Sequence, residues 1–229
     1  MVRRLGFLVI MLALCGGIAL TPVGAAQAAE RPWARLVPDR TTQVVRTISS
    51  REYCRQVWCT VTQAWEKNAE GRWQKRREFR STIGSNGWGK QREGDRRSPN
   101  GVYAIKTTFT TTSDNPGRMR WKQRRPTSIV SSSAGSNYNT WLEVRGVTSG
   151  DRPSMRSGWV LDFNNVRLRP GAGPAPVQGA GSGIFYHTSK PGHSWSPTAG
   201  CTQVGNARQM RWLLTWLDPS ASPRVVQNR

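Results

Sequence analysis

The sequence predicts a mainly β domain, and three observations carry that expectation. Short runs rich in Val, Ile, Thr, Phe and Trp recur between clusters of Gly, Pro, Asn and Asp, the punctuation of strands and tight turns. Only one stretch keeps an apolar 3.6-residue period, so helices cannot supply a layer of their own. Hydrophobic residues make up 36% of the 229 and charged residues 21%, which suits a packed core and argues against wholesale disorder. Eleven tryptophans need an interior to pack against. Many short strands with one late helix imply either a sandwich or an open barrel.

The chain opens with an address label. Arg3 and Arg4 precede an apolar run over 5–20, and small residues follow, with Ala26-Gln27-Ala28 fitting an A-x-A cleavage signal. Residues 1–29 read as a signal peptide, and no later run approaches the roughly 20 apolar residues needed to cross a bilayer. An integral membrane span is excluded, and the expected destination is the cell envelope or the exterior. Removing the two arginines of this segment takes the formal charge from +21 to +19.

Residues 30–50 are basic and proline-interrupted and are expected to lie across the surface. From 56 to 81, two β-rich runs flank Asn68-Ala69-Glu70-Gly71, a hairpin signature. Residues 83–100 read as a glycine- and charge-rich loop, 102–112 as a strand, and 113–135 as a basic loop. Strands are expected at 138–144, 158–164 and 184–187, with a Gly/Pro-rich loop over 165–183. The helix falls at 207–217, where Met210, Leu213, Leu214 and Leu217 form one stripe, Asn206 can cap the start and Asp218-Pro219 ends it.

Export leaves three cysteines, Cys54, Cys59 and Cys201. Paired thiols oxidise outside the cytoplasm, so Cys54 and Cys59 are expected to form a disulfide. In an extended strand they would stand about 16 Å apart, so residues 55–58 must turn to close the bridge. A zinc site from Cys54, Cys59, His187 and His193 has the local spacings, but the two pairs are too far apart in sequence for a compact site, and no metal is expected. Cys201 remains unpaired, following a glycine turn, with His187 at the end of a strand. A thiol needs a base or nearby positive charge to populate thiolate, and a glycine turn can aim backbone N–H groups at an oxyanion. A buried small thiol beside an unrelated His fits these residues equally well.

The segment Gly94-Asp95-Arg96-Arg97-Ser98-Pro99-Asn100-Gly101-Val102-Tyr103 resembles the G-D-x-x-T-P-x-G-x-Y/F motif of L,D-transpeptidase (YkuD-like) catalytic domains. Trp159-Val160-Leu161-Asp162-Phe163-Asn164, Gly181-Ser182-Gly183-Ile184-Phe185-Tyr186-His187 and Thr198-Ala199-Gly200-Cys201 follow in the family's order. The resemblance covers roughly 80–226, leaving 30–79 as a basic segment and hairpin packed on the catalytic domain. It implies a β-sandwich-like or kinked-barrel fold with one C-terminal amphipathic helix. By position, Cys201 would be the nucleophile, His187 its base, and the Thr188 carbonyl the group that orients the ring. Thr198 would belong to the substrate site with Gln203, and the N–H groups of Ala199, Gly200 and Cys201 would face the oxyanion. The implied reaction is acyl transfer from a peptidoglycan stem peptide through a Cys201 thioester to an amine or water, without a cofactor. Two departures stand out: Ala199 replaces the motif's usual histidine, and Gln203 stands where Arg or Asn is usual.

Of the two histidines, His193 is nearer Cys201 in sequence but sits in a turn-rich loop, whereas a strand end holds His187 more firmly. The positive charge suits anionic cell-wall polymers. Two other classes compete: a non-catalytic wall-binding module, and a nucleic-acid binder, which +19 with interleaved Trp and Arg would suit but export disfavours. A monomer acting on wall material, with no nucleic-acid partner, is the expectation; blocking the thiol separates enzyme from binder.

Overall fold

In the computed structural model, residues 31–146, 155–189, 191–192 and 195–229 are described. The segment 1–29, expected to be a signal peptide, and His193 lie outside them. Among the described residues, twelve strands and one α-helix follow in chain order. Ten strands form one mixed sheet: β4 (Gly101–Ala104), β12 (Arg224–Gln227), β1 (Gln43–Ser49), β2 (Cys59–Lys67), β3 (Trp73–Thr82), β11 (Thr202–Val204), β10 (Phe185–Thr188), β9 (Ser157–Val160), β5 (Thr107–Thr110) and β6 (Arg120–Gln123), in that spatial order. β7 (Ser128–Val130) and β8 (Trp141–Glu143) make a separate antiparallel pair.

The sheet curls. β4 is one edge and β5 is second from the other, yet only Ile105 and Lys106 separate them in sequence. Three trans peptide steps reach at most about 11 Å, so the two ends of the sheet must approach each other. The interior says the same: the Tyr186 hydroxyl on β10 hydrogen-bonds Thr47 on β1 and Thr62 on β2, strands several places away in the sheet. The result is a half-barrel, the barrel-like β architecture the sequence implied.

Helix α1 (Ala207–Trp216) closes the core. Asn206 caps it, its side-chain oxygen accepting the Gln209 N–H, while the Gln209 side-chain oxygen accepts the Asn206 N–H. Met210, Leu213, Leu214 and Leu217 are fully buried against Trp159, Tyr186 and Val204, as the stripe predicts. Trp159 and Tyr186 face each other across β9 and β10 with rings stacked at 4.6 Å.

The hairpin forms as predicted, with Asn68 accepting the Arg72 N–H at the turn. Cys54 and Cys59 are bridged, their Cα atoms 5.8 Å apart, because the chain turns where the Cys59 N–H reaches the Gln56 carbonyl. Of the segment expected on the surface, residues 31–40 are mostly exposed, but Gln43–Ser49 form β1 and are largely buried. β1 pairs with both β2 and β12, and its second face is covered by Trp33, which packs with Trp65 and Val226. The strand expected at 102–112 breaks into β4 and β5, whose pairing partners lie at opposite ends of the sheet. The expected loop 113–135 contains β6 and β7, each of which needs a partner distant in the sequence.

Gly158 of β9 sits opposite His187 with φ +154°, and a Cβ there would fall 2.0 Å from the Tyr186 carbonyl oxygen. Gly158→Ala must therefore push β9 from β10. It should cost at least about 2 kcal/mol and lower the thermal midpoint by about 4–8 °C, read by a calorimetric melt; an unchanged midpoint would contradict this packing.

Candidate active site

Two parallel strands assemble the site. β10 and β11 pair in register, Tyr186 with Thr202 and His187 with Gln203, which places Cys201, at the entry to β11, level with Phe185. The Phe185 N–H donates to Cys201 Sγ at 3.4 Å, and the thiol points back to the Gly183 carbonyl at 3.7 Å. Alternation along a strand puts Phe185 and His187 on one face, about 7 Å apart, with Tyr186 turned into the core. Cys201, His187 and Gln203 thus share one face of two adjacent strands.

The His187 ring is buried, and its Nδ1 lies 2.8 Å from the Thr188 carbonyl oxygen. A carbonyl can only accept, so Nδ1 carries the proton and the basic lone pair of the neutral ring sits on Nε2. Thr188 thereby meets the ring through its backbone carbonyl.

The turn that presents Cys201 is pinned from several directions. Thr198 Oγ1 donates to the Cys201 carbonyl at 2.6 Å and accepts the Gly200 N–H at 3.1 Å. The Gly200 N–H is thus engaged inside the turn rather than turned outward. Gly200 has φ +143°, and a Cβ there would lie 3.0 Å from the Arg97 carbonyl oxygen. Ala199 stands exposed at the apex.

Sequence reasoning quoted Ser98 and Asp95 within a motif but gave them no role, and it passed over Lys90. Ser98 is fully buried; its Oγ accepts the Gly84 N–H at 3.0 Å and donates to the Gly200 carbonyl at 2.7 Å. It fastens the 83–100 loop to the Cys201 turn. Lys90 pairs with Asp95 at 3.0 Å, with side chains only 2% and 7% exposed. Its Nζ lies 3.6 Å from the point a Gly200 Cβ would occupy. Burial works against the Asp95 carboxylate, but the N–H groups of Gln91, Arg97 and Arg92, with Lys90, hold it well below the usual range. The only signal that could have found this pair is Asp95's place in the loop motif; nothing in the spacing marks Lys90.

The thiol itself is only partly exposed. Burial pushes it up to about 11, against the pull of the Phe185 N–H and the Lys90 charge. Cys54 and Cys59 are occupied by their disulfide, and among the described residues no three His, Cys, Asp or Glu side chains gather as metal ligands.

Ser98→Ala would strand a buried N–H and a buried carbonyl at once. We expect a stability loss of about 1–3 kcal/mol and slower alkylation of Cys201 at fixed pH, measured by chemical denaturation and a timed iodoacetamide reaction. Full stability with wild-type alkylation would remove Ser98 from the support of the turn.

No curated protein matches the chain. Among solved structures, the helical cell shape determining protein Pgp2 from Campylobacter jejuni is similar at 15% identity, with a TM-score of 0.43 over 81% of this chain and 46% of that one. The chain thus spans about half the length of that protein. The L,D-transpeptidase catalytic domain model matches residues 60–226, which include the hairpin, the Ser98 loop, both site strands and the helix. With most of its length matched, the chain belongs to the YkuD family of L,D-transpeptidase catalytic domains.

Proposed function

We propose that the protein is an exported cysteine acyltransferase acting on peptidoglycan stem peptides, by L,D-transpeptidation or L,D-carboxypeptidation. The observation that carries the reading is the pairing of β10 with β11, which sets a tautomer-fixed His187 and the Cys201 thiol on one strand face. His187 Nε2 takes the Sγ proton as sulfur attacks the carbonyl carbon of the L-to-D peptide bond. The resulting oxyanion is met by the N–H groups of Cys201 and Ala199, since that of Gly200 is held by Thr198. The C–N bond then breaks, the departing D-residue amine takes the proton from His187, and a thioester remains on Cys201. An acceptor amine or water attacks it, giving its proton to His187, and the thiol is restored. Gln203, in register with His187, lines the same face and belongs to the substrate side of this proposal.

Family membership, the Cys54–Cys59 disulfide and the leader read at 1–29 together support a location outside the cytoplasm, where peptidoglycan lies. Among the described residues no helix is long and apolar enough to cross a membrane. The excess of cations supports attraction to anionic wall polymers. A non-catalytic wall-binding role draws on one specific feature, the burial around the Cys201 thiol, which pushes it up to about 11. At pH 7 such a thiol is ionised in only about one molecule in ten thousand, so the enzyme reading requires His187.

Two tests follow. Incubation with a carbapenem should add one drug mass to Cys201 by intact mass and peptide mapping. Cys201→Ser should abolish the adduct, and an adduct elsewhere, or none on the wild type, would leave the wall-binding role. The pH dependence should separate the base from the field around the thiol. In His187→Ala the acylation rate should fall about a hundredfold or more at neutral pH and then climb about tenfold per pH unit toward pH 10, because only thiolate reacts. Lys90→Met should displace the wild-type profile to higher pH, since it removes a positive charge that favours thiolate. A His187→Ala profile superimposed on the wild type would deny His187 the role.

A further inference from the structure

On the same sheet as the candidate nucleophile but three strands from β11, β5 with β6 and the segment 162–174 line a cavity of about 710 Å³. Val160, which lines a smaller adjoining pocket, pairs with Phe185, whose N–H reaches Cys201. The cavity wall carries Lys106, Arg120, Lys122, Arg167 and Arg169 against one carboxylate, Asp162. Asp162 is engaged by Lys106 at 2.7 Å. Arg120 and Arg169 stand exposed at the rim, and neither meets a carboxylate among the described residues.

The deeper cations are fixed in place. Arg167 donates from Nε to the Pro174 carbonyl at 3.1 Å and from its terminal nitrogens to the Ser136 and Gly173 carbonyls at 3.4 Å each. These bonds hold the guanidinium without cancelling its charge. Lys122 donates to the Leu168 carbonyl at 3.0 Å, and burial lowers its affinity for the proton, while Glu143 outside this cavity pulls the other way. At the inner end, Thr107 is 6% exposed, and its Oγ1 is buried with no hydrogen-bond partner among the described residues.

Like charges crowded around a concave wall repel one another, and a buried hydroxyl without a partner is unfavourable. A bound oxyanion relieves both. We propose that this cavity binds a phosphodiester-bearing polyol or glycan segment, with Arg120, Lys122, Arg167 and Arg169 neutralising its phosphates and Thr107 donating to one of them. A phosphodiester repeats its charge along the chain, which suits several cations spread along one trough, and its paired oxygens suit the guanidinium fork. Trp121 on the same wall offers a ring face to the polyol or sugar between charges. The inference rests on the wall-polymer part of the proposed function and not on acyl transfer.

The test is fluorescence anisotropy of a labelled glycerol phosphate oligomer at fixed ionic strength. Arg120→Glu with Arg169→Glu should weaken binding at least about tenfold, and Thr107→Val about threefold. Arg208→Glu with Arg211→Glu, on the exposed face of α1, changes the same formal charge and should cost less than about twofold. Equal losses in the two double variants would overturn the proposal, because the attraction would then belong to the whole surface. So would equal affinity for a glutamate oligomer of matched charge. Carbapenem acylation of the Arg120/Arg169 variant should proceed at the wild-type rate, so failure of the cavity and failure of the acyl-transfer reading give different results.

Discussion

Parallel pairing of β10 with β11 sets His187 beside Gln203 and brings Cys201 level with Phe185, and most of the structure can be understood as holding that register. On the inner side of β10, Tyr186 stacks on Trp159 and reaches Thr47 and Thr62, so the strand cannot slide without breaking a buried contact. A slip of one residue would turn His187 into the core and Tyr186 out of it. On the flank, Gly158 lets β9 approach the backbone at Tyr186 closely. Helix α1, capped at Asn206 directly after β11, buries its apolar stripe beneath the same strands. The opposite face of the strand is thereby left to His187, with Gln203 and Cys201 beside it.

Around the thiol, two opposing electrostatic effects meet. Burial keeps Cys201 protonated, and the Lys90–Asp95 pair beneath the turn brings a positive charge whose own partner limits its effect. A buried ion pair is an expensive way to stabilise a loop, because two charges must leave water. Here Asp95 offsets that cost by accepting three backbone N–H groups, which shapes the 91–97 loop and keeps Ser98 aimed at Gly200. The loop and the cysteine turn are therefore one mechanical unit although about a hundred residues separate them in sequence. The remaining cations behave differently. Most stand in solvent, where isolated pairs contribute little, and the cavity beside β5 is one place where several of them converge on a concave surface.

What the sequence by itself determined were features written in local spacing. The α1 stripe with its Asn206 cap, the turn at Asn68-Ala69-Glu70-Gly71 and the Cys54–Cys59 bridge each depend on residues only a few positions apart, so their patterns survive without knowledge of the fold. The ordered motifs around Ser98, Asp162, His187 and Cys201 were legible for the same reason, and they carried the family. Tertiary structure alone decided the rest. β1 looked like surface because its flanks are basic and proline-bearing, but β12 and Trp33 arrive from elsewhere to cover it. β6, β11 and β12 are three or four residues long and parallel to distant partners, and such short strands exist only once those partners are in place. The Lys90–Asp95 pair and the pinned Gly200 N–H join residues close in sequence, but no spacing shows their burial, nor that of the Thr107 hydroxyl, which has no hydrogen-bond partner among the described residues. A sequence records which groups are present, but burial and the direction of a hydrogen bond are set by neighbours that only folding brings near.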